Sequence, residues 1–248
     1  MKLINQIAVG NTAEVYLLDN KIVKLFHKNI PKETSEYEAT KQRIALSCGL
    51  HVPTVLDVTI IDGRQAIIME YIKGSTLGEL LEKDNSLLVD YISISVDIQQ
   101  NIHAVIADSM ETMSVKLQRQ IESTDYLTDN QKLRLIQKMK SISYEPKLCH
   151  GDYHLFNLVS TASNVTILDW VDASSGDIRA DVYRTYLLYS QFSMELADTY
   201  VSCYCEKSGL SIDEIFQWAP IIAGARLSEK VSSENNERLI AIVNQYCP

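Results

Sequence analysis

A change of periodicity near residue 73 constrains the fold of this chain more than any other feature. Before it, short β-rich runs over residues 3–9, 14–18 and 22–26 are separated by Gly10-Asn11-Thr12-Ala13 and by Asp19-Asn20-Lys21, which predicts a three-stranded meander. Residues 32–48 turn helical, with Tyr37, Thr40, Ile44 and Ser47 near one face and Gly49 as the stop. Two further strands, over 54–61 and 65–71, flank Asp62-Gly63-Arg64, a hairpin signal. Lys73-Gly74-Ser75 then acts as a connector. Beyond it the pattern predicts helices over 76–83, 87–109, 129–141, 180–209, 212–224 and 234–245. They are interrupted by one hairpin, residues 157–160 and 165–168, turning about Thr161-Ala162-Ser163-Asn164. The expected architecture is α+β: a small β-rich lobe over residues 1–72 and a larger helical lobe over 73–248.

Composition narrows the function classes. Hydrophobic residues make up 46% of 248, enough for a sizeable core. The net charge of −9 comes without a basic patch and argues against a nucleic-acid partner. Five cysteines without a CxxC pair argue against a disulfide framework or a structural zinc site. No apolar run is long enough for a membrane span or a signal peptide, so a reduced, cytoplasmic compartment is expected.

The stretch His150-Gly151-Asp152-Tyr153-His154-Leu155-Phe156-Asn157 carries the chemistry, together with Asp169, twelve residues beyond Asn157. Asn157 and Asp169 offer hard oxygen donors to a metal that bridges phosphates, and Asp152 is placed to orient an attacking hydroxyl. The pattern H-x-D-x-x-x-x-N is kinase-like. A zinc pair at His150 and His154 needs a helix, against which Gly151 and the strand-like flanks argue. Upstream, Lys24 lies between Val23 and Leu25, where an ammonium needs a carboxylate or an anion; the following helix offers Glu33, Glu36 and Glu38. Gly10 heads a turn with a single glycine, which is either a phosphate-cradling loop or a plain hairpin turn. The apolar strand ending Met69-Glu70-Tyr71-Ile72 suits either a hinge whose backbone reads a base or an ordinary core strand. Trp170 and Trp218 are expected in the core.

Together these residues resemble the aminoglycoside phosphotransferase-like family, a branch of the protein-kinase-like bilobal fold. The resemblance is carried by Val9-Gly10-Asn11-Thr12-Ala13-Glu14-Val15-Tyr16, Lys24, Gly49-Leu50-His51-Val52-Pro53, the stretch from Leu148 to Asn157, Leu168-Asp169-Trp170, and Gly176-Asp177 with Asp181. It implies ATP as donor, with GTP left open because backbone reads the base, and Mg2+ as metal. It assigns Asp152 as the catalytic aspartate, Asn157 and Asp169 as magnesium ligands, and Lys24 as the holder of the α- and β-phosphates. Glu38 is implied as the partner of Lys24, with Glu36 in reserve. Glu70 and Ile72 are implied to hold the adenine through their backbone with Met69 behind it, and Asp181 as a structural aspartate. The partner implied is a small hydroxylated acceptor. A cationic one is among the alternatives, since Glu195, Asp198, Glu206, Asp213 and Glu214 lie in the helical lobe. Only eleven residues separate Asp169 from Asp181, and no Ala-Pro-Glu follows, which leaves little room for a peptide-docking segment. A nucleotide-binding pseudokinase is the alternative from another class; the intact set Lys24, Asp152, Asn157 and Asp169 speaks against it.

Overall fold

The computed structural model describes residues 5–231 and 234–246. In chain order its elements are β1 (Gln6–Val9), β2 (Ala13–Leu18), β3 (Lys21–Phe26), α1 (Thr34–Ser47), β4 (Val55–Ile61), β5 (Arg64–Glu70), β6 (Ser75–Thr76), α2 (Leu77–Lys83), α3 (Leu88–His103), α4 (Met113–Ser123) and α5 (Asp129–Ser141). There follow β7 (Lys147–Cys149), β8 (Leu158–Ser160), β9 (Val165–Ile167), β10 (Ser174–Gly176), α6 (Ile178–Ser190), α7 (Met194–Ser208), α8 (Ile212–Phe216), α9 (Ala219–Arg226) and α10 (Asn236–Tyr246). Contacts group residues 1–80 and 155–172 into one compact unit and residues 81–154 and 173–248 into another.

The first unit is built on an antiparallel sheet in the order β1-β2-β3-β5-β4. The predicted meander and hairpin are both present. The predicted beginning of β1 at residue 3 lies outside the described residues. Asp62 and Gly63 have φ of 49° and 75°, both positive, as a two-residue turn between twisted strands requires. Side chains alternate across β3: Val23 and Leu25 pack with Ile61 and Ala66, whereas Phe26 packs with Ala13, Ile67 and Ala39 of α1. Residues 155–172 join this unit through β8, which pairs with β6 on one side and β9 on the other.

Helix α1 ends as expected, with Gly49 at φ 81° and its N–H bonded to the Leu46 carbonyl at 3.0 Å. Its buried face differs from the expected one. Tyr37, Thr40 and Ser47 are exposed, and the buried residues are Ser35, Glu38, Ala39, Lys41, Gln42 and Ala45. Periodicity of apolar residues cannot locate a face whose buried members are mostly polar and held by specific partners.

The second unit is helical, with a short antiparallel pair, β7 and β10. Its core includes Trp218, Tyr200 and Tyr204, while Trp170 is buried in the first unit. Helix α5 spans the expected residues and opens on a capping box of Thr128 and Gln131. Three expectations are corrected. The helix predicted to reach residue 109 stops at His103. The helix predicted over 180–209 is two, because Ser193 caps α7 by accepting from Leu196 N at 3.2 Å. The helix predicted over 212–224 breaks before α9, where Pro220 occupies the first turn.

Candidate active site

In the first unit the sheet and α1 converge on Lys24. Strand β3 turns this side chain to the α1 side, opposite Val23 and Leu25. Its Nζ lies 2.5 Å from Glu38 Oε1 and 3.3 Å from Asp169 Oδ1. Burial works against the Lys24 ammonium, but attraction to Asp169 and Glu38 outweighs it, so the pKa is raised and the cation is fixed. Burial pushes the Glu38 carboxyl up; Asp169 and Asp172 add to this, and Lys24 only partly offsets it. The two shifts pull the pair in different directions. Two carboxylate partners fix the charge on Lys24, whereas the cost of burial dominates at Glu38.

Asp169 follows β9 with φ 57°, a left-handed backbone rare for a residue with a side chain. Its side chain is 39% exposed, open to a ligand beside Lys24. Trp170, fully buried, donates from Nε1 to the Ile167 carbonyl at 3.2 Å and anchors the turn. Asn157 ends a 3-10 turn over Leu155–Asn157. Its carbonyl accepts from Leu168 N at 2.8 Å, next to the paired Leu158 and Ile167. The open end of the β8–β9 hairpin therefore carries Asn157 on one strand and Asp169 just past the other. An amide oxygen and a carboxylate with solvent access suit a hard divalent cation that keeps open positions.

The remaining nucleotide-side candidates lie along the same sheet. Gly10 opens the β1–β2 turn, its N–H donating to the Ala13 carbonyl at 2.8 Å and its carbonyl 3.2 Å from His27 Nε2. Met69, paired with Ile22 and Val55, is half-buried, and Gln42 Nε2 lies 3.8 Å from its sulfur. Glu70 ends β5, where its N–H donates to the Thr54 carbonyl at 2.9 Å and its carboxylate accepts from Thr54 N at 3.2 Å. Ile72 follows the strand and is half-buried.

In the second unit β7 leads into the loop that carries Asp152. Gly151 takes φ 82°, which only glycine adopts freely. Asp181, on α6, accepts from His150 N at 3.2 Å and from Gly151 N at 2.7 Å. The same carboxylate accepts from Gln99 Nε2 at 3.2 Å and lies 3.0 Å from His103 Nε2. Asp181 thus braces the loop by its backbone, and His150 is buried in that brace. His103, Cys149 and Asp181 present possible ligand atoms within 4.8 Å of one another. Both ring nitrogens of His103 and both oxygens of Asp181 are already hydrogen-bonded, so the cluster reads as structural. Residues 150–154 form no helix, which removes the zinc geometry.

The Asp152 side chain is 27% exposed and lies 3.6 Å from His154 Nε2. Burial raises its pKa, but the nearby His154, with the charges of Arg184 and His150, holds the carboxyl well below the ordinary range. Sequence reasoning did not single out Arg184, which donates from Nε to the Gly151 carbonyl at 3.2 Å. It likewise passed over Lys41 in the first unit. Arginine or lysine on a helix is ordinarily a solvated residue, and no local pattern distinguishes these two. Glu195, Asp198, Glu206, Asp213 and Glu214 are all exposed, and Glu214 closes the capping box of α8.

Lys24 is in direct contact with both Glu38 and Asp169, and Asn157 shares the hairpin end with Asp169. Asp152 belongs to the second unit, five residues ahead of Asn157 along the chain.

A family model described as the phosphotransferase enzyme family matches residues 4–216. No curated protein matches the sequence. Among solved structures, aminoglycoside phosphotransferase APH(4)-Ia aligns with a TM-score of 0.71 and 14% identity, over all of this chain and 94% of that one. A choline/ethanolamine kinase family protein from Mesorhizobium loti aligns with a TM-score of 0.64 and 15% identity, over all of this chain and 87% of that one. The ADP-bound aminoglycoside phosphotransferase APH(2'')-Ib aligns at 0.61 and 17% identity, over 99% and 92%. The α+β fold expected from the sequence is the fold these proteins share.

Proposed function

The chain belongs to the phosphotransferase enzyme family, and from that premise we propose that it transfers the γ-phosphoryl group of ATP to a hydroxyl of a small molecule. The contact of Lys24 with both Glu38 and Asp169 carries this reading. A cation fixed between a buried and an open carboxylate is what a triphosphate site needs. Solved neighbours described with ADP or with AMP-PNP and hygromycin B support a nucleotide and a hydroxylated acceptor.

Lys24 would hold the α- and β-phosphates, with Glu38 fixing its position. Gly10 would lie over the phosphates. The backbone of Glu70 and Ile72 would hold the base, with Met69 behind it; backbone reading leaves GTP open beside ATP. Asn157 and Asp169 would hold Mg2+, which when bound supplies charge neutralisation at the phosphate oxygens. Asp152 would accept a hydrogen bond from the acceptor hydroxyl. As the new oxygen–phosphorus bond forms and the β,γ-bridging bond breaks, ADP departs and Asp152 takes the proton. Its low basicity suits a group that orients the hydroxyl first and accepts the proton only as charge develops. Most of the acceleration would come from positioning and electrostatics.

The acceptor would be a small hydroxylated metabolite, with amino alcohols and aminoglycosides among those to test. Among the described residues no helix is long and apolar enough to cross a membrane, and we place the reaction in the cytoplasm. A panel of cationic and neutral hydroxylated compounds, screened for acceptor-dependent ADP release with Asp152→Asn in parallel, tests the reading. Release that depends on one acceptor and on Asp152 is expected. Equal nucleotide binding by both chains, with no turnover by either, would end it.

A further inference from the structure

We propose that Lys41 is a positioning residue for the metal-binding turn, acting through the carbonyl of Val171. The inference rests on the reading of Asp169 as a magnesium ligand.

Lys41 is 3% exposed, which is unusual for a lysine. Its Nζ donates to the Val171 carbonyl at 3.0 Å and lies 4.4 Å from the centre of the Tyr37 ring. Burying an ammonium is unfavourable unless specific contacts offset it, so the side chain is not a passive filler. Lys41 follows Glu38 by three residues, which places both on one face of α1. That face reaches the turn after β9 at two points. Glu38 acts through Lys24 on the Asp169 carboxylate, and Lys41 acts directly on the backbone two residues later.

The turn needs two points of support. Asp169 holds a left-handed backbone at φ 57°, a conformation that persists only when its surroundings over-determine it. Trp170 fixes the middle through its buried ring and its bond to the Ile167 carbonyl. The Lys41 bond fixes the far side. Without it the peptide groups around Trp170 and Val171 can rotate, and the Asp169 carboxylate loses the direction set for it. Partners that orient a ligand without touching the metal ordinarily affect affinity about 10-fold to 100-fold.

The experiment measures binding, not turnover. AMP-PNP is titrated calorimetrically into the full chain, first without divalent metal and then across a range of Mg2+ concentrations. In Lys41→Met the Mg2+ concentration that gives half of the metal-dependent gain should rise about 10-fold. Metal-free affinity for AMP-PNP should stay within about twofold, because neither the base nor the Lys24 contact is touched. Lys41→Arg, which keeps the charge and a donor, should recover much of the loss. It also serves as the test chain if the Met variant does not fold, with a smaller shift in the same direction. Equal weakening with and without metal would show a merely structural lysine and overturn the proposal, as would an unchanged Mg2+ requirement. A wild-type chain whose AMP-PNP binding ignores Mg2+ overturns the reading of Asp169 as well. A responsive wild type with an unaltered variant overturns the Lys41 inference alone.

Discussion

Arg184 donates from Nη2 to Glu229 Oε2 at 2.8 Å while its Nε holds the carbonyl of Gly151 at 3.2 Å. One guanidinium therefore ties the backbone just before Asp152 to a run of ion pairs, in which Arg226 also binds Glu229 and reaches Glu234. Arg238 extends the run by contacting Glu234 at 3.1 Å. Arg184→Met removes the support from the Gly151 carbonyl and leaves Arg226 on Glu229. Stability should fall by about 2 kcal/mol in denaturant titration. ATP turnover should fall by about 100-fold, since small displacements of an orienting group are costly. Nucleotide affinity should hold, because Lys24, Glu38 and Asp169 belong to the other unit. A variant that loses affinity and turnover in proportion would contradict this assignment.

Glu38 separates stability from activity. The carboxylate is buried, its pKa is raised by burial and by Asp169 and Asp172, and its attraction to Lys24 only partly compensates. Glu38→Gln keeps the shape and a hydrogen-bond acceptor but removes the repulsion. The thermal midpoint should therefore stay level or rise. Turnover should fall about 10-fold or more, because Lys24 is no longer drawn into place by a charge-assisted bond. Thermal unfolding and steady-state ATP turnover, measured on the same preparation, give the answer. A marked loss of stability would mean that the ion pair holds the unit together.

Asp181 makes a pH-dependent contribution of definite sign. Burial raises its carboxyl, but the bond and charge of His103, the charge of His150 and the Gly151 amide together lower it to about 2, against an ordinary 3.8. The unfolded chain then binds the proton more readily than the folded one. The contribution to stability is fully present above the ordinary value and is lost as pH falls through about 2. Asp181→Asn should be less stable than wild type near neutral pH, by on the order of 2 kcal/mol from the carboxyl shift alone. The gap should narrow as pH falls below 4, the region of an ordinary aspartate. Urea titrations across acidic and neutral pH measure it; a gap constant down to the lowest pH would assign the loss to packing alone.

What the sequence makes legible follows from how local the determining physics is. The Asp62-Gly63 turn, the Thr128 cap and the Gly49 stop depend on a few neighbouring residues, and each can be read directly. The break at Ser193 carries a cap signal too, but the apolar residues on either side continue in phase and mask it. Helix α4 buries Met113, Leu117 and Ile121 at regular spacing of four, a signal that was available. Strand β7 lies in the strand-like flank before Gly151, but β10 has three residues and pairs with it across more than twenty others, so nothing local marks β10. The same division holds at the site. Asp152, Asn157 and Asp169 stand out because their spacing is chemical. Lys41 and Arg184 act on backbone carbonyls supplied by distant segments, and their own neighbours in sequence say nothing about that.

The connector after β5 has a steric requirement at Gly74. A Cβ built there would lie 2.1 Å from the Ser160 carbonyl oxygen and 2.9 Å from a Val159 methyl carbon. The nearer atom is backbone in β8, so it cannot swing aside as a side-chain end would. Relief requires β6 and β8 to separate, and their pairing of Ser75 with Ser160 joins the hairpin bearing Asn157 and Asp169 to the first unit. Gly74→Ala should therefore destabilise by about 1–3 kcal/mol, the ordinary cost of overpacking. It should also weaken Mg2+-dependent nucleotide binding, although it touches neither ligand nor metal donor. Gly63 supplies the contrast: a Cβ there meets nothing within 4 Å, and only its φ of 75° limits substitution. Gly63→Asn, which tolerates that backbone, should leave stability within about 0.5 kcal/mol. Denaturant midpoints for the two variants decide the matter, and comparable losses at both positions would locate the effect in glycine's flexibility instead of the contact with Ser160.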